Sequence, residues 1–404
     1  MNGEFEARHL IEALRSGVPS RKVGQYFYSA RPEIMGEITG ALEKVRESRE
    51  PSGMVVTGKY GEGKTHLLHT VLDIAHENNM VVSFLSLSKE TPLNKLHLAY
   101  PKLMAGTYLP GHPQPGLASV FENMTANSPV ATEMQLFSAK HLQSDKLYFL
   151  LRAYLGTEDT DEKFMLLADL EGDFIANPPL KQIYKRIFSQ KAAFSQSFSK
   201  TKHVGDYFAF MSHLFLQLGF GGWVLLFDET ELIGRLGKRA RLNAYANMAL
   251  LLGLQKESLL EATFSLFALG ASYGEDVIEG KHEYENLAAS LLDQGDWESA
   301  EKTLGRILQA PQLLPLTKEE MTGVLDRIRE LHGEAYGWNP PRDIASFLGG
   351  AESRGYLLRT RIRGAIEGLD QLYQYGKVGN IVVGDLGEVT YEEDVPSLDG
   401  LVDL

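Results

Sequence analysis

The run Gly58-Lys-Tyr-Gly-Glu-Gly-Lys-Thr65 has the spacing G-x-x-x-x-G-K-T of a phosphate-binding loop. The chemistry it offers is a cradle for a nucleoside triphosphate. Gly58, Gly61 and Gly63 leave room for backbone N–H groups to close around a β-phosphate. A helix that starts at the end of the loop adds its partial positive charge. Lys64 has the reach for the β- and γ-phosphates, and the Thr65 hydroxyl is of the type that sits on Mg2+. Glu62 inside the loop and His66 just after it complete the local candidate set for ATP.

A second acidic element lies far downstream. Leu225-Leu-Phe-Asp228 is an apolar run ending in a carboxylate, which places Asp228 at the C-terminal edge of a buried strand, where ligands bind in open parallel sheets. Asp228 suits Mg2+, directly or through water, and Glu229 suits the general base that aligns water against a γ-phosphate. The other reading of the pair is a strand end running into a helix N-cap, which also favours Asp and Glu. Ser272 follows a later strand and occupies the place of a polar sensor of the γ-phosphate, or is an ordinary loop residue. Arg235, Arg239 and Arg241 follow the acidic pair. One of them can serve as an arginine finger toward a neighbouring subunit, with Arg241 the choice; the alternative is a solvated helix face. Arg342, after Pro340-Pro341, is placed to start a helix and fold back onto phosphates, or to decorate the helix surface. Arg354, Arg359, Arg361 and Arg363 form a basic run that fits a DNA backbone, a subunit interface or a solvated face.

These groups need elements to hold them. Gly53-Met-Val-Val-Thr57 reads as a buried strand before the loop, and apolar residues at 67, 68, 71, 72 and 75 give a helical period after it. Further strands are expected at 80–87, 223–228 and 263–270, so the fold class is α/β: a parallel P-loop sheet with right-handed crossovers. Helices are expected at 5–14 and 33–45, and a break at 17–21. Residues 104–205 lose the strand pattern and read as a helical insertion, with a Gly/Pro-rich loop at 106–116 and helices near 132–155, 161–173 and 179–198. Beyond 280 the pattern is helical, over 285–293, 297–310, 318–333, 341–349 and 357–375. The division is thus a helical segment 1–50, an ATPase core 51–280, a helical lid 281–376, and a hairpin with an acidic tail over 377–404.

Composition bounds the reading. The chain has 404 residues, 44% of them hydrophobic, enough for a large core. It has no Cys, which excludes disulfides and thiolate metal sites, and no His spacing of the H-E-x-x-H kind. No apolar run reaches the roughly 20 residues needed to span a bilayer, so the expectation is a soluble, cytoplasmic protein. The formal charge of −13 argues against tight autonomous binding to nucleic acid.

Several runs together carry a family resemblance. They are Arg8-His-Leu-Ile-Glu-Ala-Leu-Arg-Ser-Gly-Val-Pro19, the loop 58–65, Lys95-Leu-His-Leu-Ala-Tyr100 and Asp228-Glu-Thr-Glu-Leu232. With the Arg/Ala/Tyr-rich segment that follows, they resemble the BREX-type ATP-binding proteins (the BrxC/BrxD-like P-loop group) of phage-defence clusters. The resemblance implies an ASCE-class ATPase related to AAA+ proteins, acting as an oligomer with a helicase or nuclease partner on DNA. It also places an adenine-contacting Val-Gly-Arg element at Phe27-Tyr-Ser-Ala-Arg-Pro32, of which only Arg31 is present. Three readings stand side by side. They are a Mg2+-dependent ATPase driving a defence assembly, an initiator-like ATP-gated loading module with slow turnover, and a scaffold that binds nucleotide without hydrolysis. The intact Lys64, Asp228 and Glu229 argue against the third.

Overall fold

The computed structural model describes residues 2–16, 31–112, 114–122, 124–290, 292–344, 357–379, 381 and 391. Within them, strands β1 (Ser52–Gly58), β2 (Val81–Ser86), β3 (Thr107–Tyr108), β4 (Trp223–Asp228), β5 (Thr263–Gly270) and β6 (Gln312–Leu313) form one sheet. Their order is β3-β2-β4-β5-β1-β6, parallel throughout except where β3 pairs with β2. Every residue of β4 and β5 is buried, which is why both read as near-continuous apolar runs rather than alternating ones. The polar exceptions are matched inside. The Ser83 hydroxyl accepts from Trp223 Nε1 at 2.8 Å and meets Thr107 Oγ1 at 2.6 Å, which ties the short edge strand β3 to the sheet.

Helices cover both faces. On one, Pro32–Ser48 and Lys64–Glu77 lay Ile38, Leu42, Leu68 and Val71 against Val56, Val82, Val224 and Leu266. On the other, the helices between β2 and β4 pack together with Lys238–Leu251 and Gln294–Leu308 around Tyr100, Tyr207, Phe208, Phe227 and Phe267. A third core stands apart. Ala7, Leu10, Ile11 and Leu14, the apolar stripe of Asn2–Ser16, close on Ile328 and Leu331 of Lys318–Tyr336 and on Ala365 and Leu369 of Leu358–Tyr375. Arg15 clamps Asp370 with two bonds at 2.8 and 2.7 Å, and Arg8 Nε donates to Ala335 O at 2.7 Å. Lys318–Tyr336 starts on a capping box of Thr317 and Glu320.

The mixed α/β class with a mostly parallel sheet is as expected, and differences lie at the edges. β3 falls inside the Gly/Pro-rich loop expected at 106–116, and β6 was not anticipated; both have only two residues, too few for a periodic signal. The insertion holds Pro129–Lys140, Lys146–Gly156, Thr160–Ala168 and Asn177–Phe188, and its last helix, Lys200–Gln217, runs almost to β4. The helix expected at 341–349 does not start there, since residues 341–344 are not helical; 345–349 lie outside the described residues. So do the break at 17–21, Arg354 and nearly all of the hairpin and acidic tail. Packing also divides the chain differently from the expected segments. Asn2–Ser16 joins the C-terminal helices, Pro32–Ser48 joins the sheet, and Gln294–Leu308 belongs to the sheet's core. No described helix is long and apolar enough to cross a membrane.

Candidate nucleotide site

β1 ends at Gly58, and the chain turns through Gly61 (φ 82°) and Gly63 (φ 91°) before the helix begins at Lys64. Both glycines occupy the left-handed region that L side chains rarely adopt, so the turn depends on them. It leads into the start of a fourteen-residue helix, whose first N–H groups have no intrahelical partner. A cavity of about 490 Å³ opens on this turn. Its polar wall includes Glu62, Lys64, Thr65, His66, Asp228 and Glu229; its apolar wall includes Ala13, Leu14, Met35, Leu316, Val324 and Ile362.

Parallel pairing through β5 brings the ends of β1 and β4 to the same edge, and this joins two motifs 163 residues apart. Thr65 Oγ1 donates to Asp228 Oδ2 at 2.6 Å, a charge-assisted bond between the two groups expected to meet Mg2+. The other carboxylate oxygen, Oδ1, accepts from the Glu229 N–H at 3.0 Å. Glu229 sits at φ 54°, a conformation that lifts it off the strand line, and it lines the cavity. Burial, and then the neighbouring Asp228 charge, push its carboxyl above the usual range. Lys64 is buried, with Nζ donating to Gly58 O at 3.0 Å and lying 3.6 Å from Glu231 Oε1.

Two arginines from opposite ends of the chain hold the loop. Arg31 donates to Glu62 O at 2.7 Å and to Leu314 O at 2.6 Å, and its own N–H reaches Glu320 Oε1 at 3.0 Å. Arg359 N donates to Gly61 O at 3.1 Å, its Nη1 to the Tyr60 hydroxyl at 3.1 Å, and its Nη2 to Ser16 O at 3.3 Å. Both line the cavity.

The remaining candidates are elsewhere. Ser272 is not among the lining residues, and the Tyr391 phenol lies beside it. Arg241 is buried, with Nε and Nη2 on Glu283 Oε1 at 2.8 and 2.7 Å and Nη1 on Leu236 O at 2.6 Å. That placement corrects the expectation of a finger, because a buried, paired guanidinium does not reach a neighbour. Arg342 is exposed and away from the cavity; Arg359 takes the position at the loop that was expected of it. The basic run is divided accordingly: Arg359 faces the loop, Arg361 is half-buried and Arg363 is exposed. Sequence reasoning missed Tyr60, His69, Phe84, Ser86 and the apolar wall as lining residues, and it missed the loop contact of Arg359. Only Arg359 had a signal, as a member of that run.

The donor set fits the groups it is expected to hold: a glycine turn at a helix start for phosphates, and a hydroxyl and carboxylate in contact for a hard cation. A family model described as BREX system ATP-binding protein BrxC/D matches residues 4–145 and 185–375. No curated protein matches the chain.

Proposed function

The chain belongs to the family of BREX system ATP-binding proteins BrxC/D, and from that premise we propose that it is a Mg2+-dependent ATPase working in a DNA-directed antiviral assembly. The observation that carries the proposal is the meeting of Lys64, Thr65, Asp228 and Glu229 at one cavity. Lys64 and the helix start receive phosphate charge, while Thr65 and Asp228 offer the oxygens for Mg2+. Bound there, Mg2+ supplies Lewis-acid neutralisation of the phosphate oxygens. Glu229 orients a water and takes its proton, a contribution of about 10²–10⁴-fold in such reactions.

The purine end is assigned to the apolar wall. That wall comes largely from the third core, whereas the loop comes from the sheet, so nucleotide in the cavity ties the two units together. Loss of the γ-phosphate then changes what the tie holds, and Arg359 is the group on the helical side placed to sense it. A strand, β5, between the loop strand and the Asp228 strand supports an AAA+/ASCE-type core, with Lys318–Tyr336 and Leu358–Tyr375 in its lid. A homo-oligomer and a helicase or nuclease partner complete the proposal. In the oligomer the exposed Arg239 takes the finger role, and Arg361 and Arg363 carry the contact to DNA.

One observation favours the second reading, a slowly turning, initiator-like loading module. Ser272 lies beside the Tyr391 phenol and outside the cavity lining, so the proposed sensor stands off the phosphate site. The test of ATP use is nucleotide binding and hydrolysis by wild type and Lys64→Ala, with and without a Mg2+ chelator. Both activities should fall with Lys64 and hydrolysis with the chelator. Hydrolysis by Lys64→Ala at the wild-type rate contradicts the proposal.

A further inference from the structure

Glu231 stands behind Lys64. It lies on the short turn Thr230–Arg235, is 1% exposed, and does not line the cavity. Its Oε1 is 3.6 Å from Lys64 Nζ, and its Oε2 has no hydrogen-bond partner among the described residues. The charged and titratable groups facing it are Lys64, Glu229, Asp228 and the Tyr391 phenol. Lys64 is the one cation in that set, and it is also the group that phosphates must claim.

Resting on the ATP reading above, we propose that Glu231 is a positioning residue that holds the Lys64 ammonium from the back of the loop and competes with phosphate for it, thereby setting nucleotide affinity. When phosphates take Lys64, a buried carboxylate is left beside two like charges and an incoming polyanion. A group so placed stays neutral rather than charged. Nucleotide binding therefore brings a proton to Glu231.

The direction of the pH dependence follows. Burial, which outweighs the opposing pull of Lys64, pushes the free carboxyl up to about 7. Loss of Lys64 to phosphate raises it further. Affinity is then greatest below about pH 7, falls as pH rises toward the bound-state value, and is flat above it. Against a variant that is always neutral, the wild type binds about tenfold more weakly at pH 8, about twofold at pH 7 and about equally at pH 6.

The test is calorimetric titration of the full chain with a Mg2+-bound non-hydrolysable ATP analogue at pH 6, 7 and 8, in two buffers of different ionisation heat. Glu231→Gln should tighten binding by those ratios and remove the proton uptake that wild type shows near pH 8; the analogue's own titration cancels in the comparison. Equal or weaker binding by Glu231→Gln at pH 8 overturns the proposal. Absence of proton uptake by the wild type overturns it without any variant. Nucleotide binding that needs Lys64 but shows neither effect removes only the role of Glu231. Failure of the wild type to bind the analogue removes the ATP reading and this inference with it.

Discussion

Lys146–Asp169 in the helical insertion and Lys64–Glu231 at the candidate nucleotide site are the same pair of groups in different settings. Lys146 and Asp169 are both 0% exposed, with Nζ 2.6 Å from Oδ2. Both ends of that pair are held. Nζ also donates to Ile175 O at 2.8 Å and lies 4.1 Å over the Phe198 ring, while Oδ1 accepts from the Tyr207 hydroxyl at 2.6 Å. Burial pushes the Asp169 carboxyl up and the Lys146 ammonium down, and the close partner opposes both shifts. Lys64 and Glu231 are a full ångström further apart. Their lysine side opens on a cavity. A closed pair holds helices together; a slack pair at an opening leaves its lysine within reach of the cavity.

The comparison can be broken at either lysine. Lys64→Ala should lower kcat/KM for ATP by about 10²-fold or more, as losses of charge-stabilising groups in such sites do, while lowering the unfolding midpoint less than loss of the tighter Lys146–Asp169 pair does. Lys146→Ala should do the reverse. Stranding the Asp169 carboxylate costs about 3–5 kcal/mol of stability, read by denaturant unfolding, and nucleotide affinity of the folded fraction should hold. A folded Lys146→Ala protein that no longer binds nucleotide would end the distinction between the two pairs. A smaller effect sharpens it. Arg359→Ala should weaken nucleotide binding about tenfold through lost charge-assisted bonds at the loop. The exposed Arg342→Ala should leave binding within about twofold, by the same titration.

What was legible in the sequence was local. The apolar run into Asp228 and the helical period after Thr65 each lie within one element, the loop spacing spans only the junction between two adjacent ones, and each element is where its pattern puts it. Residues whose roles depend on distant packing were not legible. Arg241 carries the same charge as Arg239 two residues before it, but only Arg241 meets Glu283 in the core. Arg359 reaches Gly61 because Asn2–Ser16 and Leu358–Tyr375 pack together across almost the whole chain, which no window of sequence contains. Glu231 sits in the Asp228-Glu-Thr-Glu-Leu232 run, yet its pairing with Lys64 needed the sheet to bring two strand ends together.

The central claim is that the groups at this cavity hydrolyse ATP, with Glu229 as the base. Its most direct test is the steady-state ATPase rate of Glu229→Gln beside the wild type, with nucleotide affinity measured on the same samples. A fall of about 10²–10⁴-fold in rate with affinity kept is the predicted result. Hydrolysis by Glu229→Gln at the wild-type rate would contradict it.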